Sequence, residues 1–170
     1  MIYITGGARS GKSAYAQRRC EAYPGELLYV ATACAGDEEM AGRIARHQAA
    51  RGSRWNTLEE PLDLCGRLPA AAGGRAAVLV DCLTLWLTNL FFHHEQRPGP
   101  VLAAVGELAA LLPDLSGPIY LVNSEIGFGV VPENELARRF RDLAGEAGQL
   151  LAAVATEAWL VAAGLPVRLK

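Results

Sequence analysis

The sequence has 170 residues and a mass of 18.1 kDa, a length that favours one globular domain over two. Hydrophobic residues make up 51% of the chain and charged residues 20%, so it can bury a sizeable core, and disorder is excluded as its main state. The net charge of −2 and the pI near 5.9 provide no basic field for a long nucleic acid or an anionic membrane surface.

Short apolar runs alternate with longer helical patterns along the whole chain, without an internal repeat or a low-complexity linker. This alternation predicts a parallel sheet covered by helices. The predicted strands span residues 2–5, 27–32, 76–80, 119–122 and 166–169, with a short extended piece at 55–58. The predicted helices span residues 12–23, 37–51, a segment from Pro61, 84–92, a segment after a 93–100 loop to about 112, and about 132–163, where Gly145 and Gly148 leave a break open.

A glycine-rich segment lies between the first predicted strand and the first predicted helix. It matches G-x-x-x-x-G-K-[ST] in the context that a phosphate-binding loop requires. Backbone N–H groups and the helix dipole would face a polyphosphate, while Lys12 would point to the ligand and reach the β- and γ-phosphates. The alternative is a glycine-rich turn without a ligand. The candidate nucleotide-binding residues are Gly6, Gly7, Ala8, Arg9, Ser10, Gly11, Lys12 and Ser13, and Lys12 is also a candidate catalytic residue.

Two side chains with oxygen atoms are candidate Mg²⁺ ligands. The Ser13 hydroxyl follows the loop lysine, and Asp81 ends an apolar run, as expected of a carboxylate on a neighbouring strand. An Asp at a strand end is also commonly a helix N-cap. Beside a phosphate loop, we favour the metal role for Asp81.

The class of nucleotide-binding protein is narrowed by a motif that the sequence lacks. Signalling GTPases recognise guanine with an N-K-x-D motif that follows a strand late in the chain. Residues 122–126, at the end of the predicted strand 119–122, contain no such motif, which argues against a signalling GTPase. The chain length suits a small-molecule kinase. The residues alone leave open a kinase of another small alcohol and a regulatory nucleotide-binding module.

The second predicted helix places a histidine on a partly apolar side. Met40, Ile44, His47 and Arg51 share this side through their i, i+4, i+7 and i+11 spacing. A lone helical histidine is more often structural, and the arginines nearby could form a solvated basic edge. A neutral imidazole among guanidinium groups is also a competent nucleophile toward phosphorus. His47 is therefore a candidate catalytic residue.

Several unusual strings are spread over nearly the whole chain, among them Tyr-Val-Ala-Thr-Ala at 29–33 and Asp-Cys-Leu-Thr-Leu-Trp-Leu-Thr-Asn at 81–89. The other matching segments are 5–13, 37–40 with Arg43, Ile44 and His47, 55–59, 129–134, 137–142 and 164–170. On these segments the sequence resembles the bifunctional adenosylcobinamide kinase / adenosylcobinamide-phosphate guanylyltransferase family of adenosylcobalamin biosynthesis.

The resemblance implies a two-step enzyme. It would phosphorylate the aminopropanol hydroxyl of adenosylcobinamide with ATP or GTP. It would then transfer GMP from GTP through a GMP–histidine intermediate to give adenosylcobinamide-GDP. Carried over by position, His47 would be the nucleophile. The further guanine-nucleotide contacts would be Ala31, Thr32, Ala33, Gln48, Ala49, Ala50, Arg51, Glu59 and Asp81.

The resemblance also implies a phosphate-loop three-layer α/β fold of the RecA-like type, with a mostly parallel sheet and one domain over residues 1–170. It further implies a homotrimer with corrinoid and nucleotide substrates. One departure concerns residues 123–125, which read Asn-Ser-Glu here and usually Ser-Asn-Glu in the family. The role of this polar cluster is therefore left open.

The remaining candidates have simpler interpretations. The four cysteines form no C-x-x-C pair and are expected to be buried thiols in a reducing cytosol. No basic leader or apolar run of about 18 residues is present, so we expect a cytoplasmic protein without membrane insertion. His93 and His94 are expected at a solvated helix end, because adjacent helical side chains diverge by about 100°. Trp86, Phe91 and Phe92 fit a core, a subunit interface or a corrinoid surface equally well.

Overall fold

The computed structural model describes residues 1–33 and 51–170. The strands are β1 (Ile2–Gly6), β2 (Leu27–Ala31), β3 (Trp55–Glu59), β4 (Ala77–Asp81), β5 (Ile119–Ser124), β6 (Glu157–Ala162) and β7 (Leu165–Arg168). They form one sheet in the order β3-β2-β4-β5-β1-β6-β7, in which only β6 and β7 pair antiparallel.

Helices cover both faces of this sheet. They are α1 (Lys12–Glu21), α2 (Leu64–Ala72), α3 (Leu83–His93), α4 (Pro98–Leu111) and α5 (Glu135–Val154), with a short 3-10 turn at Leu112–Asp114. Helix α1 packs Ala16 and Cys20 on one face, whereas α2 to α5 pack on the other. The predicted three-layer α/β fold with a mostly parallel sheet is confirmed.

The central strands are apolar on both sides because each is covered by helices on both faces. Strands β1 and β2 are buried along their whole length, and β4 is buried up to Asp81. In the layer beneath α3, Trp86 and Phe91 are each 1% exposed and belong to the core, whereas Phe92 is exposed. The structure thus distinguishes Phe92 from Trp86 and Phe91, whereas the sequence left the same three interpretations open for all of them.

The register of the parallel strands brings their carboxyl ends to one edge. Ala31 is paired with Glu59 on one side and with Asp81 on the other, and Gly6 is paired with Ser124. Ligands of open parallel α/β sheets bind at this edge. The predicted site residues of four strands are therefore presented on the same side of the molecule.

The predicted long C-terminal helix is wrong beyond Val154. Residues 157–162 form β6, and a two-residue turn at Ala163 and Gly164 leads into β7. Both turn residues have positive φ, at 51° and 81°, as a two-residue hairpin turn of type I′ requires. The prediction overrated the alanines and missed the β-rich Trp-Leu-Val run and the turn. Gly145 and Gly148 do not break α5.

Two other boundaries differ by a few residues. The helix predicted from Pro61 begins at Leu64, because Asp63 is its N-cap and accepts the Gly66 N–H at 2.9 Å. Helix α4 begins at Pro98, inside the predicted 93–100 loop. The helix predicted at 37–51 lies, except for its last residue, outside the described residues.

The minor predictions are settled where the structure describes them. Cys20 and Cys82 are buried free thiols and Cys65 is a half-buried one, while Cys34 lies outside the described residues. Helix α3 ends at His93, which is exposed. Among the described helices, none combines the length and apolar character needed to cross a membrane.

Trp86 offers a test of the core beneath α3, because its indole Nε1 donates to the Leu62 carbonyl oxygen at 2.9 Å. We expect Trp86→Phe to lower the free energy of unfolding by about 1–3 kcal/mol, since a partly buried carbonyl loses its donor and the buried ring becomes smaller. Phe92→Leu, at an exposed position of the same helix, is the control and should change it by less than about 0.5 kcal/mol. Urea unfolding measures both, and equal stabilities would contradict this role.

Candidate functional site

The phosphate loop follows β1 and can be built only with glycine at its first position. A Cβ added at Gly6 would collide with the Val161 carbonyl oxygen and come within 2.6 Å of the Ser10 Oγ. Gly11 has φ +93° at the start of α1, a conformation that L side chains rarely adopt, and its added Cβ would lie 3.2 Å from the Gly164 Cα. The pattern in the sequence therefore reflects a backbone packed closely against β6 and the β6–β7 turn.

The loop presents polar groups to an anion. Gly11 is the N-cap of α1 and supplies no side-chain cap, so this helix end offers backbone N–H groups and a positive dipole end. The Ser10 side chain is 8% exposed, and its Oγ has no hydrogen-bond partner among the described residues. Gly7, Ala8 and Arg9 are exposed around it. This donor set fits phosphate oxygens.

Lys12 is buried, in contrast to the expectation that it faces a ligand. Its Nζ donates to the Gly7 carbonyl oxygen at 3.1 Å, so the ammonium group is bound to the loop itself. A lysine buries its alkyl stem readily while its charged end remains at a polar site. The ammonium group is thereby held at the position where the loop would receive a phosphate.

Asp81 stands at the end of β4, two strand spacings or about 10 Å from β1. Its Oδ2 accepts a hydrogen bond from the Tyr29 hydroxyl at 3.3 Å. The Arg51 guanidinium lies 3.6 Å from the centroid of the Tyr29 ring, and Trp55 meets the same ring edge-on at 6.3 Å. Asp81 therefore belongs to a small aromatic and charged cluster at the carboxyl edge.

The cluster also perturbs the ionisation of its members. Burial, and next the negative charge of Asp81, raise the pKa of the Tyr29 hydroxyl far above its usual value, so it remains a donor. Burial lowers the pKa of the Arg51 guanidinium, an effect that Tyr29 and Asp81 oppose. Tyr29 was missed as a site residue, since in the sequence it reads only as part of an apolar strand.

Thr32 joins the ends of β2 and β4. Its Oγ1 donates to the Cys82 carbonyl oxygen at 2.7 Å and accepts the Cys82 N–H at 2.9 Å, and Asn89 donates to the Thr32 carbonyl oxygen at 2.8 Å. Thr32 is fully buried, so its side chain is committed to the framework. Ala31 and Ala33 flank it at the edge.

The structure separates the other predicted nucleotide contacts. Glu59 is exposed at the end of β3, four strand spacings or about 19 Å from β1. It shares the edge with the phosphate loop but cannot contact the same phosphate group. The predicted residues that lie outside the described part of the chain are His47, Gln48, Ala49 and Ala50.

The end of β5 lies between the phosphate loop and Asp81. The Thr84 hydroxyl donates to the Asn123 Oδ1 at 2.9 Å and accepts the Ser124 N–H at 2.7 Å. The Glu125 N–H donates to the Gly6 carbonyl oxygen at 3.0 Å. The polar cluster left open by the sequence is thus bonded directly to the first glycine of the loop.

Ser13 and Asp81 fit a magnesium ion chemically. A hydroxyl and a carboxylate are hard oxygen donors, and Mg²⁺ is usually held by one or two such groups together with substrate phosphates. Within residues 1–33 and 51–170, no group of three or more His, Cys, Asp or Glu side chains could hold a metal alone. The candidate set is therefore of the kind that binds Mg²⁺ with a nucleotide.

The phosphate loop, its buried lysine and a carboxylate at the same sheet edge define a phosphate-loop nucleotide-binding protein of the α/β class. Its sequence matches a model of one family over residues 2–169. The chain belongs to the cobinamide kinase / cobinamide phosphate guanyltransferase family, which confirms the resemblance found in the sequence.

Curated relatives match over the full length. The chain is 46% identical to the bifunctional adenosylcobalamin biosynthesis protein CobP of Pseudomonas aeruginosa, covering 98% of this chain and 95% of that protein. It is 39% identical to the proteins named CobU of Escherichia coli K12 and of Salmonella typhimurium. Both matches cover 100% of this chain and 99% of the relative.

Lys12→Ala tests the phosphate loop. We expect nucleotide turnover to fall by at least about 100-fold with the fold retained, because a charge that contacts phosphate is lost. The matched control is Lys170→Ala, which removes the only other lysine, whose Nζ donates to carbonyl oxygens at the end of α5. Turnover assays and circular dichroism measure the outcome. A folded Lys12→Ala protein that retains both half-reactions would refute the loop assignment.

Proposed function

We propose that this chain phosphorylates adenosylcobinamide and then transfers a guanylyl group to the product. Its family description names the corresponding activities, cobinamide kinase and cobinamide phosphate guanyltransferase. The observation that best supports this proposal is the phosphate loop. It places Lys12 and the N-terminus of α1 together at the carboxyl edge of the sheet. Membership of the family over residues 2–169 supports the choice of acceptor.

In the proposed kinase step, the aminopropanol hydroxyl of adenosylcobinamide attacks the γ-phosphorus of ATP or GTP. The new P–O bond replaces the bond to the β-phosphate, the hydroxyl proton is released, and the nucleoside diphosphate leaves. The loop N–H groups orient the triphosphate, and Lys12 balances the charge that develops on its oxygens. Ser13 and Asp81 would hold Mg²⁺, which neutralises charge on the phosphate oxygens when bound.

In the proposed transferase step, a ring nitrogen of His47 attacks the α-phosphorus of GTP. A P–N bond forms, the bond to the β-phosphate breaks, and pyrophosphate leaves. A phosphate oxygen of adenosylcobinamide phosphate then attacks the same phosphorus, which breaks the P–N bond and restores His47. Arg51, four residues after His47 in the sequence, lies against Tyr29 at the sheet edge, which supports a nucleotide site there.

The other proposed nucleotide contacts suit a molecule that lies along the edge. Its phosphates would sit at Gly6 to Ser13, and its base would extend toward β2 and β3. Along this direction lie Ala31, Thr32, Ala33, Arg51, Glu59 and Asp81, and we assign Gln48, Ala49 and Ala50 to the same site from the family resemblance.

We further propose a cytoplasmic homotrimer of one-domain subunits spanning residues 1–170. The edge strand β7 supports subunit contact, since Leu165, Val167 and the neighbouring Leu169 are each more than half exposed. Exposed apolar side chains in such a group are commonly buried by a partner.

Asp81→Asn and Tyr29→Phe test the metal-binding edge. Asp81→Asn removes the carboxylate charge, so the Mg²⁺ concentration for half-maximal kinase rate should rise by about 10-fold or more. Tyr29→Phe retains the ring under Arg51 but removes the hydrogen bond to Asp81, and a smaller rise of a few-fold is expected. Magnesium titrations of the kinase reaction measure both. An unchanged requirement in Asp81→Asn would return this residue to a structural role.

His47→Asn tests the transferase step. Asn cannot form a phosphoramidate, so we expect no protein labelling by GTP and no adenosylcobinamide-GDP, while adenosylcobinamide phosphate still accumulates with ATP. The protein is incubated with GTP that carries radiolabel at the α-phosphate. The measurement is the amount of acid-labile, base-stable radiolabel that stays on the protein. His93→Asn, at the exposed end of α3, is the control and should label normally.

The contrary outcomes of this experiment are distinct. Labelling of His47→Asn would place the nucleophile elsewhere. Loss of both activities in a folded variant would show that the two reactions share residues at one site. A wild-type protein that phosphorylates a small alcohol but never becomes labelled would instead be a kinase without transferase activity.

A further inference from the structure

An exposed apolar loop follows β5 at the carboxyl edge. Its residues 126–131 read Ile-Gly-Phe-Gly-Val-Val and include no polar or charged side chain. Phe128 is 82% exposed and Val130 95%, and Ile126 and Val131 are also exposed. Side chains of this size are normally withdrawn from water, so four of them in six residues indicate a surface that another molecule covers.

The first end of this loop is fixed to the phosphate loop. The Glu125 N–H donates to the Gly6 carbonyl oxygen at 3.0 Å, and the Glu125 Oε1 accepts the Gly127 N–H at 2.6 Å. The Gly127 carbonyl oxygen in turn accepts from Arg141 Nη2 on α5 at 3.0 Å. The backbone that carries the apolar side chains is therefore tied to the residue that begins the nucleotide site.

The second end of the loop is fixed to α5. Arg138 Nη1 donates to the Pro132 carbonyl oxygen at 3.0 Å and also to the Glu133 carbonyl oxygen. The Asn134 side chain caps the helix by accepting the Ala137 N–H at 3.0 Å. The loop is therefore held at both ends by hydrogen bonds, and its apolar side chains between these ends are exposed to solvent.

The position of this surface favours the acceptor substrate as its occupant. An acceptor hydroxyl must come within about 3–3.5 Å of the phosphorus it attacks, so the rest of the acceptor must rest on surfaces beside the phosphate loop. A corrinoid acceptor carries a broad macrocycle, and sites for such ligands are lined mainly by apolar and aromatic side chains. An uncharged apolar loop fits such a ring face.

The extent of the surface also fits a small molecule. Four apolar side chains are few beside the roughly 20–30 residues that each partner contributes to a standard protein interface. Small-molecule sites, in contrast, are lined mainly by apolar and aromatic side chains with few polar groups. A second copy of this chain is therefore the weaker candidate.

We propose that residues 126–131 are the docking surface for the macrocycle of the corrinoid acceptor, and that this contact brings the acceptor's hydroxyl arm to the phosphate loop. The inference deepens the proposed function and rests on it. Phe128 and Val130 supply most of the contact because they are the most exposed of the four apolar side chains.

The test compares Phe128→Ala, Val130→Ala and the double variant with the wild-type protein. Burial of one such side chain by a ligand corresponds to about 10-fold or more in affinity. We expect KM for adenosylcobinamide to rise by at least that factor, while KM for ATP and protein labelling by GTP without acceptor remain unchanged. Phe128→Leu should largely restore the acceptor KM. The control is Phe92→Ala, which removes an exposed phenyl ring on α3.

Direct binding and oligomeric state complete the experiment. Equilibrium dialysis with adenosylcobinamide should show the same loss of affinity, and sedimentation should show unchanged assembly in all variants. A double variant that binds and uses adenosylcobinamide normally overturns the proposal. Weaker binding accompanied by subunit dissociation also overturns it, because the loop would then be a contact between copies.

Failure of the proposed function would have a different signature. In that case the wild-type protein would form neither adenosylcobinamide phosphate nor a GTP-labelled intermediate. Dialysis still decides the loop's role, since binding of adenosylcobinamide that depends on Phe128 supports the docking surface without any turnover. Absence of binding to the wild-type protein overturns it.

Discussion

The close approach of the Gly6 backbone to β6 is the constraint on which the site depends. The Val161 carbonyl oxygen and the Ser10 hydroxyl occupy the space where a Cβ would stand. The Gly164 N–H donates to the Ser10 carbonyl oxygen at 2.8 Å, so the β6–β7 turn supports the loop from behind. A loop held in this way keeps its N–H groups oriented before a phosphate arrives, which lowers the cost of ordering on binding.

The rest of the carboxyl edge is held by buried polar contacts between strand ends. Thr32 joins β2 to β4 through Cys82, and Thr84 holds the end of β5 through Ser124. Each hydroxyl both donates and accepts, so these buried polar groups are satisfied while they fix the geometry of the edge. Asp81 is therefore presented by a rigid frame, and Tyr29 adds a direct hydrogen bond to its carboxylate.

The fold was predictable to the extent that it depends on local pattern. The buried strands are recognisable as uninterrupted apolar runs. The phosphate loop is recognisable from the spacing of its glycines and lysine, which reflects one particular backbone conformation. The β6–β7 hairpin was missed because an alanine-rich helix and a short apolar strand are similar at this length, and the turn contains only one glycine. The β6–β7 hairpin that was missed nevertheless packs against the phosphate loop, the motif that the sequence shows most clearly.

The position of the loop after β1 and of Asp81 at the end of a strand was predictable from the sequence, whereas the contacts around them were not. Nothing in the sequence distinguishes Tyr29 from its neighbours in β2, since its role comes from a partner 52 positions away. The same holds for Glu125, whose backbone reaches Gly6 only because β5 lies beside β1 in the sheet. Contacts of this kind depend on the order of the strands in the sheet. The spacing of residues along the sequence does not reveal that order.

The strand order also determines how the substrates of the two proposed reactions are arranged along one edge. From the phosphate loop on β1, the order runs through β5 and β4 to β2 and β3. A nucleotide with its phosphates at the loop can extend its base toward Glu59, about 19 Å away, while the apolar loop after β5 lies beside the phosphates. The base at β3 would lie three strands beyond β5, so the acceptor and the base can occupy separate parts of the same edge. One phosphate loop can serve both a transfer at the γ-phosphorus and a transfer at the α-phosphorus, provided that the group attacking each phosphorus approaches from its own side.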